Sequence, residues 1–162
     1  MKKLTALRQH LIRALPTLQR DPDHLLTFIE DGTITFTRGP NLTHEWQYCA
    51  QLVFVDFAQD TDVLTTALIQ WLRIYEPDQP PEEAISIEAE ITSETSCDLL
   101  LRVRLSERVI VSMNAEKGIL ESRHLMNTFD DDDAHAQWAL YQREGETLHR
   151  LGKWTLGNQH DR

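Results

Sequence analysis

The chain has no apolar run approaching the roughly 20 residues that a membrane-spanning helix requires, so nothing in it reads as a span. Cysteine is scarce. Cys49 and Cys97 stand in neither metal nor redox spacing and read as small buried thiols of a reducing compartment, not as a disulfide. Basic charge is also short, with 16 Lys and Arg against 26 Asp and Glu and a formal net charge of -10. That balance argues against general nucleic-acid binding, which needs clustered cations to displace counterions. Missing too are a glycine-rich phosphate loop, a Gly-x-Ser-x-Gly elbow and histidines paired at zinc spacing. The seven histidines (His10, His24, His44, His124, His135, His149 and His160) are scattered, and each reads as a surface or packing residue. No catalytic residue and no cofactor is expected.

What is present suits a folded domain: 162 residues, 41% of them hydrophobic, can enclose one core with a small appendage. Lys2 and Lys3 open the chain, but Arg8 and Arg13 interrupt what would be the apolar centre of a signal peptide. An acid-free, Arg-bearing start is shared with organelle transit peptides, yet these residues also make a good first helix. Leu4, Leu7, Leu11, Ala14, Leu15 and Leu18 recur at three- and four-residue steps, one apolar stripe that Pro16 ends or bends.

Leu25–Glu30 and Thr33–Thr37 flank Asp31-Gly32, a pair suited to a tight hairpin turn. A long strand follows over His44–Phe57, with Trp46, Tyr48, Leu52 and Phe54 on one face and Cys49, Val53, Val55 and Phe57 on the other. Apolar character on both faces points to a central strand, or to one whose second face meets another subunit. Asp60-Thr61-Asp62 starts a second helix striped by Val63, Leu64, Ala67, Leu68, Trp71, Leu72 and Tyr75. Two alternating strands come next. Ile85, Ile87, Ala89 and Ile91 face in on the first; Leu99, Leu101, Val103, Leu105, Val109 and Val111 face in on the second. Their outward residues set Glu88 and Glu90 against Arg102, Arg104 and Arg108 if the two form a hairpin. Ile119–Leu125 returns as a last core strand.

The order of elements gives an α+β domain over residues 1–125, two helices packed on a mainly antiparallel sheet. Residues 126–162 form an acidic linker and an aromatic C-terminal extension. In it, Gln137–Gln142 and Thr147–Trp154 make a β-hairpin around Glu144-Gly145. Such a hairpin is marginal alone and must dock on its own domain, a neighbouring subunit or another protein. Asp130, Asp131, Asp132 and Asp133 with His135 are the only metal-like cluster. Consecutive carboxylates lack the alternating spacing and glycine turn of a calcium loop, so the run reads as a solvated linker.

Charge is segregated. Residues 1–20 carry five cations and no acid, whereas Glu76–Asp98 carries eight acids and no base. The two segments are expected to meet, within or between protomers. Candidate contact residues are therefore Arg8 and Arg13; Glu82, Glu83, Glu88 and Glu90; Arg102, Arg104 and Arg108; and the aromatics Trp46, Tyr48, Trp138, Tyr141 and Trp154.

Several stretches together resemble a known family: Leu7-Arg8 through Leu15-Pro16, Arg20-Asp21-Pro22-Asp23, Phe28-Ile29, His44–Tyr48 with Val55-Asp56-Phe57 and Asp60, Trp71-Leu72-Arg73 with Glu76-Pro77, and Leu105–Val109. In combination and order they are similar to the tail completion protein R family of contractile-tailed temperate phages. The resemblance implies a structural, non-enzymatic protein with a tail-terminator-like fold. It would finish the head-proximal end of the tail and make it competent for head joining. It implies a homo-oligomer, a six-fold ring by family analogy, contacting the tail tube or sheath and neck proteins. Such a protein is assembled in the bacterial cytoplasm and ends in the virion tail, with no membrane partner. The competing readings are a non-ring adaptor or chaperone module, and an enzyme with an unfamiliar site.

Overall fold

The structure is a computed structural model that describes residues 1–126 and 137–156. Helix α1 runs Lys2–Ala14 and α2 runs Pro16–Arg20. Between them Leu15 is extended, because the ring of Pro16 excludes its predecessor from helical geometry. A short 3-10 turn (Pro22–His24) leads into β1 (Leu25–Phe36), followed by β2 (His44–Phe57), α3 (Thr61–Tyr75) and α4 (Pro81–Ala84). Then come β3 (Ile85–Ile91), β4 (Cys97–Asn114), β5 (Ile119–Leu125), β6 (Gln137–Glu144) and β7 (Thr147–Thr155).

Strands β1, β2, β4 and β3 lie side by side, all antiparallel, and β5 pairs with the far end of β4. The α+β architecture expected from the periodicities is therefore present. One face of the sheet carries Tyr48, Ala50, Leu52, Phe54, Leu99, Leu101, Val103 and Leu105, all buried, and these pack into one core with the stripes of α1 and α3. Asp60 caps α3 by accepting the amide of Asp62 at 2.8 Å.

Four local expectations need correction. Asp31-Gly32 is not a hairpin turn. Only Asp31 has a positive φ (50°), so the chain kinks into a bulge between Glu30 and Thr33 inside one continuous β1. The reversal comes instead at residues 37–43. Phe57 is not on the outer face of β2: a second irregularity, with Asp56 at φ 52°, turns its ring into the core edge-on to Phe54 at 5.8 Å. Ile87 and Ile91 face the helix side but remain 56% and 84% exposed, because the helices do not reach over β3. Strand β5 is an exposed arm rather than a core strand, since β4 continues past the start of β2 and carries β5 with it.

The C-terminal hairpin docks on its own chain. Among the described residues, β6 and β7 pair only with each other, and β7 packs on α1 and α3. Trp154, read from the sequence as an interface residue, is 4% exposed there and donates its indole N–H to Gln70 Oε1 at 2.8 Å. Gly152 is required for this approach: a Cβ would stand 2.8 Å from Val63 Cγ1. Gly152→Ala is expected to push β7 off α3 and cost about 1–3 kcal/mol, seen as a lower thermal midpoint and faster proteolytic loss of the hairpin.

Candidate functional site

An acid sits at the inward position 107 of β4, between Leu105 and Val109. Glu107 is 2% exposed, and its carboxylate accepts the amides of Lys2 and Lys3 at 3.0 Å each, together with the hydroxyl of Tyr48. His124 Nδ1 of β5 lies 3.1 Å from it. Helix α1 has no side-chain cap of its own at Met1, so this strand residue caps it from across the fold. A carboxylate also suits the positive end of the helix dipole. Burial pushes the acid up, but the Tyr48 hydroxyl and the two amides outweigh it and hold it below the ordinary carboxylate range. Burial and the Glu107 hydrogen bond push the Tyr48 phenol far upward, so it stays a donor.

The other end of the helix pair is treated in the mirrored way. Lys3 is 1% exposed, and its ammonium donates to the Tyr75 carbonyl at 2.7 Å and to Glu76 Oε1 at 2.8 Å. Tyr75 ends α3, so the cation meets an orphan carbonyl at the negative end of that dipole. Glu76 also accepts the amide of Ser106 at 2.9 Å and its hydroxyl at 2.8 Å. Glu107, Tyr48, Lys3, Glu76 and Ser106 thus form a buried clamp joining α1, α3, β2 and β4. The expected meeting of basic and acidic segments occurs here, within the chain, through Lys3 and Glu76.

Lys3 and Glu107 are not among the contact residues that charge segregation and aromatic placement suggest. The signal was available, because an acid at the inward parity of an otherwise apolar strand and a lysine four residues before Leu7 both imply buried partners.

The candidate contact residues divide by place. Tyr48, Glu82, Glu83, Arg102 and Arg104 line one open groove of about 940 Å³. It runs across the sheet between the β1 bulge and the α3–α4 loop, and Asp31, Glu45 and Asp78 make its wall acidic. Arg102 bridges Glu88 at 2.6 Å and Glu30 at 3.4 Å across this face, but the Glu88 contact is diagonal, because the β3–β4 register sets Ser86 opposite Arg102 and Glu88 opposite Leu100. Glu90 instead stands opposite Asp98. Arg8 lies away from the groove, donating to the carbonyls of Pro22 at 2.8 Å and Leu25 at 3.2 Å, where it ties α1 to the start of β1. Arg13 is on α1 and Arg108 is exposed on β4. Trp46 and Trp138 are half-buried against the core, and Tyr141 is exposed on the hairpin. Asp130–Asp133 and His135 lie outside the described residues. Among the described residues no group of three or more His, Cys, Asp or Glu is placed to hold a metal, and no helix is long and apolar enough to cross a membrane.

His10 adds a pH response. Its Nε2 is 3.0 Å from the Ala67 carbonyl in the α1–α3 seam, with Nδ1 buried and unpartnered. Burial, opposed by that carbonyl and reinforced by the charge of Arg13, lowers its pKa from 6.5 to about 4. The folded state therefore holds the neutral ring. This contribution is complete above pH 6.5 and is lost as pH falls towards 4, by about 3 kcal/mol. Denaturant midpoints should drop between pH 7 and pH 4.5, and His10→Phe should remove most of that slope.

The family model for "P2 phage tail completion protein R (GpR)" matches residues 1–128. "Tail completion protein R" of Escherichia phage P2 is 31% identical over 117 residues, which span 69% of this chain and 76% of that protein. No solved structure matches. The matched region contains every residue of the clamp, and the stretches that carry the resemblance supply Tyr48, Glu76, Ser106 and Glu107 to it. The chain therefore belongs to the P2 phage tail completion protein R family, structural proteins of phage tail assembly.

Proposed function

We propose that this protein completes the head-proximal end of a contractile tail, halts tube or sheath growth and makes the tail competent for head joining. The observation that carries this reading is the family match over the whole clamped α+β unit, residues 1–128. The protein acts through its surfaces, without catalysis, as a homo-oligomer taken as a six-fold ring. Its partners are the tail tube or sheath and the neck proteins; it assembles in the host cytoplasm and ends in the virion tail. The tail-completing unit is residues 1–125. The extension beyond it braces α1 and α3, which the burial of Trp154 supports.

A ring needs two different patches that meet between neighbours. Lys3 and Glu76 are already satisfied internally, so the acidic wall formed by Asp78, Glu82 and Glu83 is the patch left for a basic neighbour. An adaptor that captures a single tail protein is the second reading. It is favoured by an apolar cleft of about 320 Å³ at the sheet end, where Ile34, Phe36 and Leu42 are exposed.

Native mass measurement, on the protein alone and on purified tail tubes, separates the two. Several copies closing on the tube end are expected, whereas one copy held by one tail protein would favour the adaptor.

A further inference from the structure

Among the described residues three strands, β1, β3 and β5, leave an edge of the sheet exposed, and they differ in what they would do against a second copy. Strand β1 is broken by its bulge between Glu30 and Thr33, which disrupts a continuous template. Strand β3 is regular and exposed, but full-length antiparallel self-pairing about its central residue sets Glu88 on Glu88. Like charges directly opposite are destabilising. Strand β5 is also regular and exposed, with β4 as its only partner strand among the described residues.

Its sequence, Ile119-Leu-Glu-Ser-Arg-His-Leu125, reads differently about its own centre. Antiparallel self-pairing centred on Ser122 places Glu121 against Arg123 and Ile119 against Leu125, each pair formed twice. Directly opposed residues share a sheet face. By the β4 register these four all lie on the face away from the helices, and His124 on the other face is held by Glu107 of its own chain. The strand is therefore anchored in its protomer, and among the described residues no strand pairs with its outer edge. Ile119 and Leu120 are 44% and 57% exposed.

We propose that β5 is a self-complementary edge through which two copies of this chain join about a two-fold axis, extending each β4–β5 arm into a four-stranded sheet. Such an isologous contact differs in kind from the heterologous contacts of a ring, so it does not rest on the terminator reading. An edge of seven residues gives a weak, concentration-dependent dimer rather than an obligate one.

The test is a charge swap read by sedimentation over a concentration series up to the order of 1 mM. Arg123→Glu and Glu121→Arg should each weaken dimerisation about tenfold, since two pairs become repulsive at once. The double variant Glu121→Arg with Arg123→Glu should restore it. Both positions are exposed, so the fold is retained.

Oxidative cross-linking gives a second reading. Opposed Cα atoms in antiparallel strands lie about 4.5–5.5 Å apart, within disulfide reach. Ser122→Cys should therefore link to itself across the axis, whereas Glu121→Cys, displaced by two residues from its copy, should not. Wild type in parallel accounts for Cys49 and Cys97. A monomer throughout the series, a double variant no better than the singles, or equal linking at 121 and 122 would overturn the proposal.

Discussion

Lys3→Met is expected to lower the melting temperature by on the order of 10 °C. The substitution keeps most of the apolar stem but removes the ammonium, leaving the buried Glu76 side chain without its ion-pair partner and with the Ser106 hydrogen bonds. Removing one member of a buried ion pair typically costs about 3–5 kcal/mol, and each kcal/mol shifts the midpoint of a chain this size by about 2–4 °C. The Tyr75 carbonyl also loses its donor at the end of α3. Lys3→Arg should not rescue, because a forked guanidinium does not fit a site built around one ammonium. Replacing Lys3 and Glu76 together, by Met and Gln, should cost less than Lys3→Met alone, since no uncompensated charge remains. Calorimetry of the three variants checks the order.

Glu107→Leu should be as damaging, by about 3–5 kcal/mol. It strips an acceptor from the part-buried amide of Lys2 and from two buried donors, the Lys3 amide and the Tyr48 hydroxyl, whose isolation costs about 1–3 kcal/mol each. Tyr48→Phe alone removes one donor and should cost about 1–2 kcal/mol. Added to Glu107→Leu it should cost little further, because its partner is already gone. The acid also sets a pH limit. Its folded pKa is depressed, so its contribution is complete above the ordinary carboxylate range. It is lost as pH falls from that range through the depressed value. Hydrogen exchange should show the first turn of α1 opening ahead of the rest of the helix in Glu107→Leu.

Much of the fold was legible because its elements obey one period each. The stripe of α1, the Asp60 cap of α3, the limits of β2 and a hairpin turn, at Gly145-Glu146 and so one residue beyond the expected Glu144-Gly145, all follow from local rules. The misreadings share a cause, which is that tertiary geometry decided what local chemistry left open. Asp31-Gly32 can serve a turn or a bulge, and only the pairing of β1 along β2 selects the bulge. Ile87, Ile91 and β5 alternate as core strands do, yet the helix layer is too narrow to cover them. Within the candidate site, the Arg102–Glu88 pair was readable from parity, whereas the clamp required knowing that α1 begins over β4. Charge segregation along the sequence pointed to a contact between the two segments. It did not reveal that Lys3 and Glu76, rather than Arg8, would make it within one protomer.

The clamp connects fold and function in one physical statement. A structural protein of tail assembly must present fixed surfaces, and two buried, oppositely poled helix ends tie α1 and α3 to β4. Glu76 and Ser106 of the clamp line the same groove as Glu82, Glu83 and Arg104.

Electron microscopy of tails assembled in cells that lack this protein tests the central claim most directly. Overlong or headless tails are predicted, with normal length and head joining restored when the wild-type chain is supplied. Tails of normal length on infectious particles, made in its absence, would contradict the account.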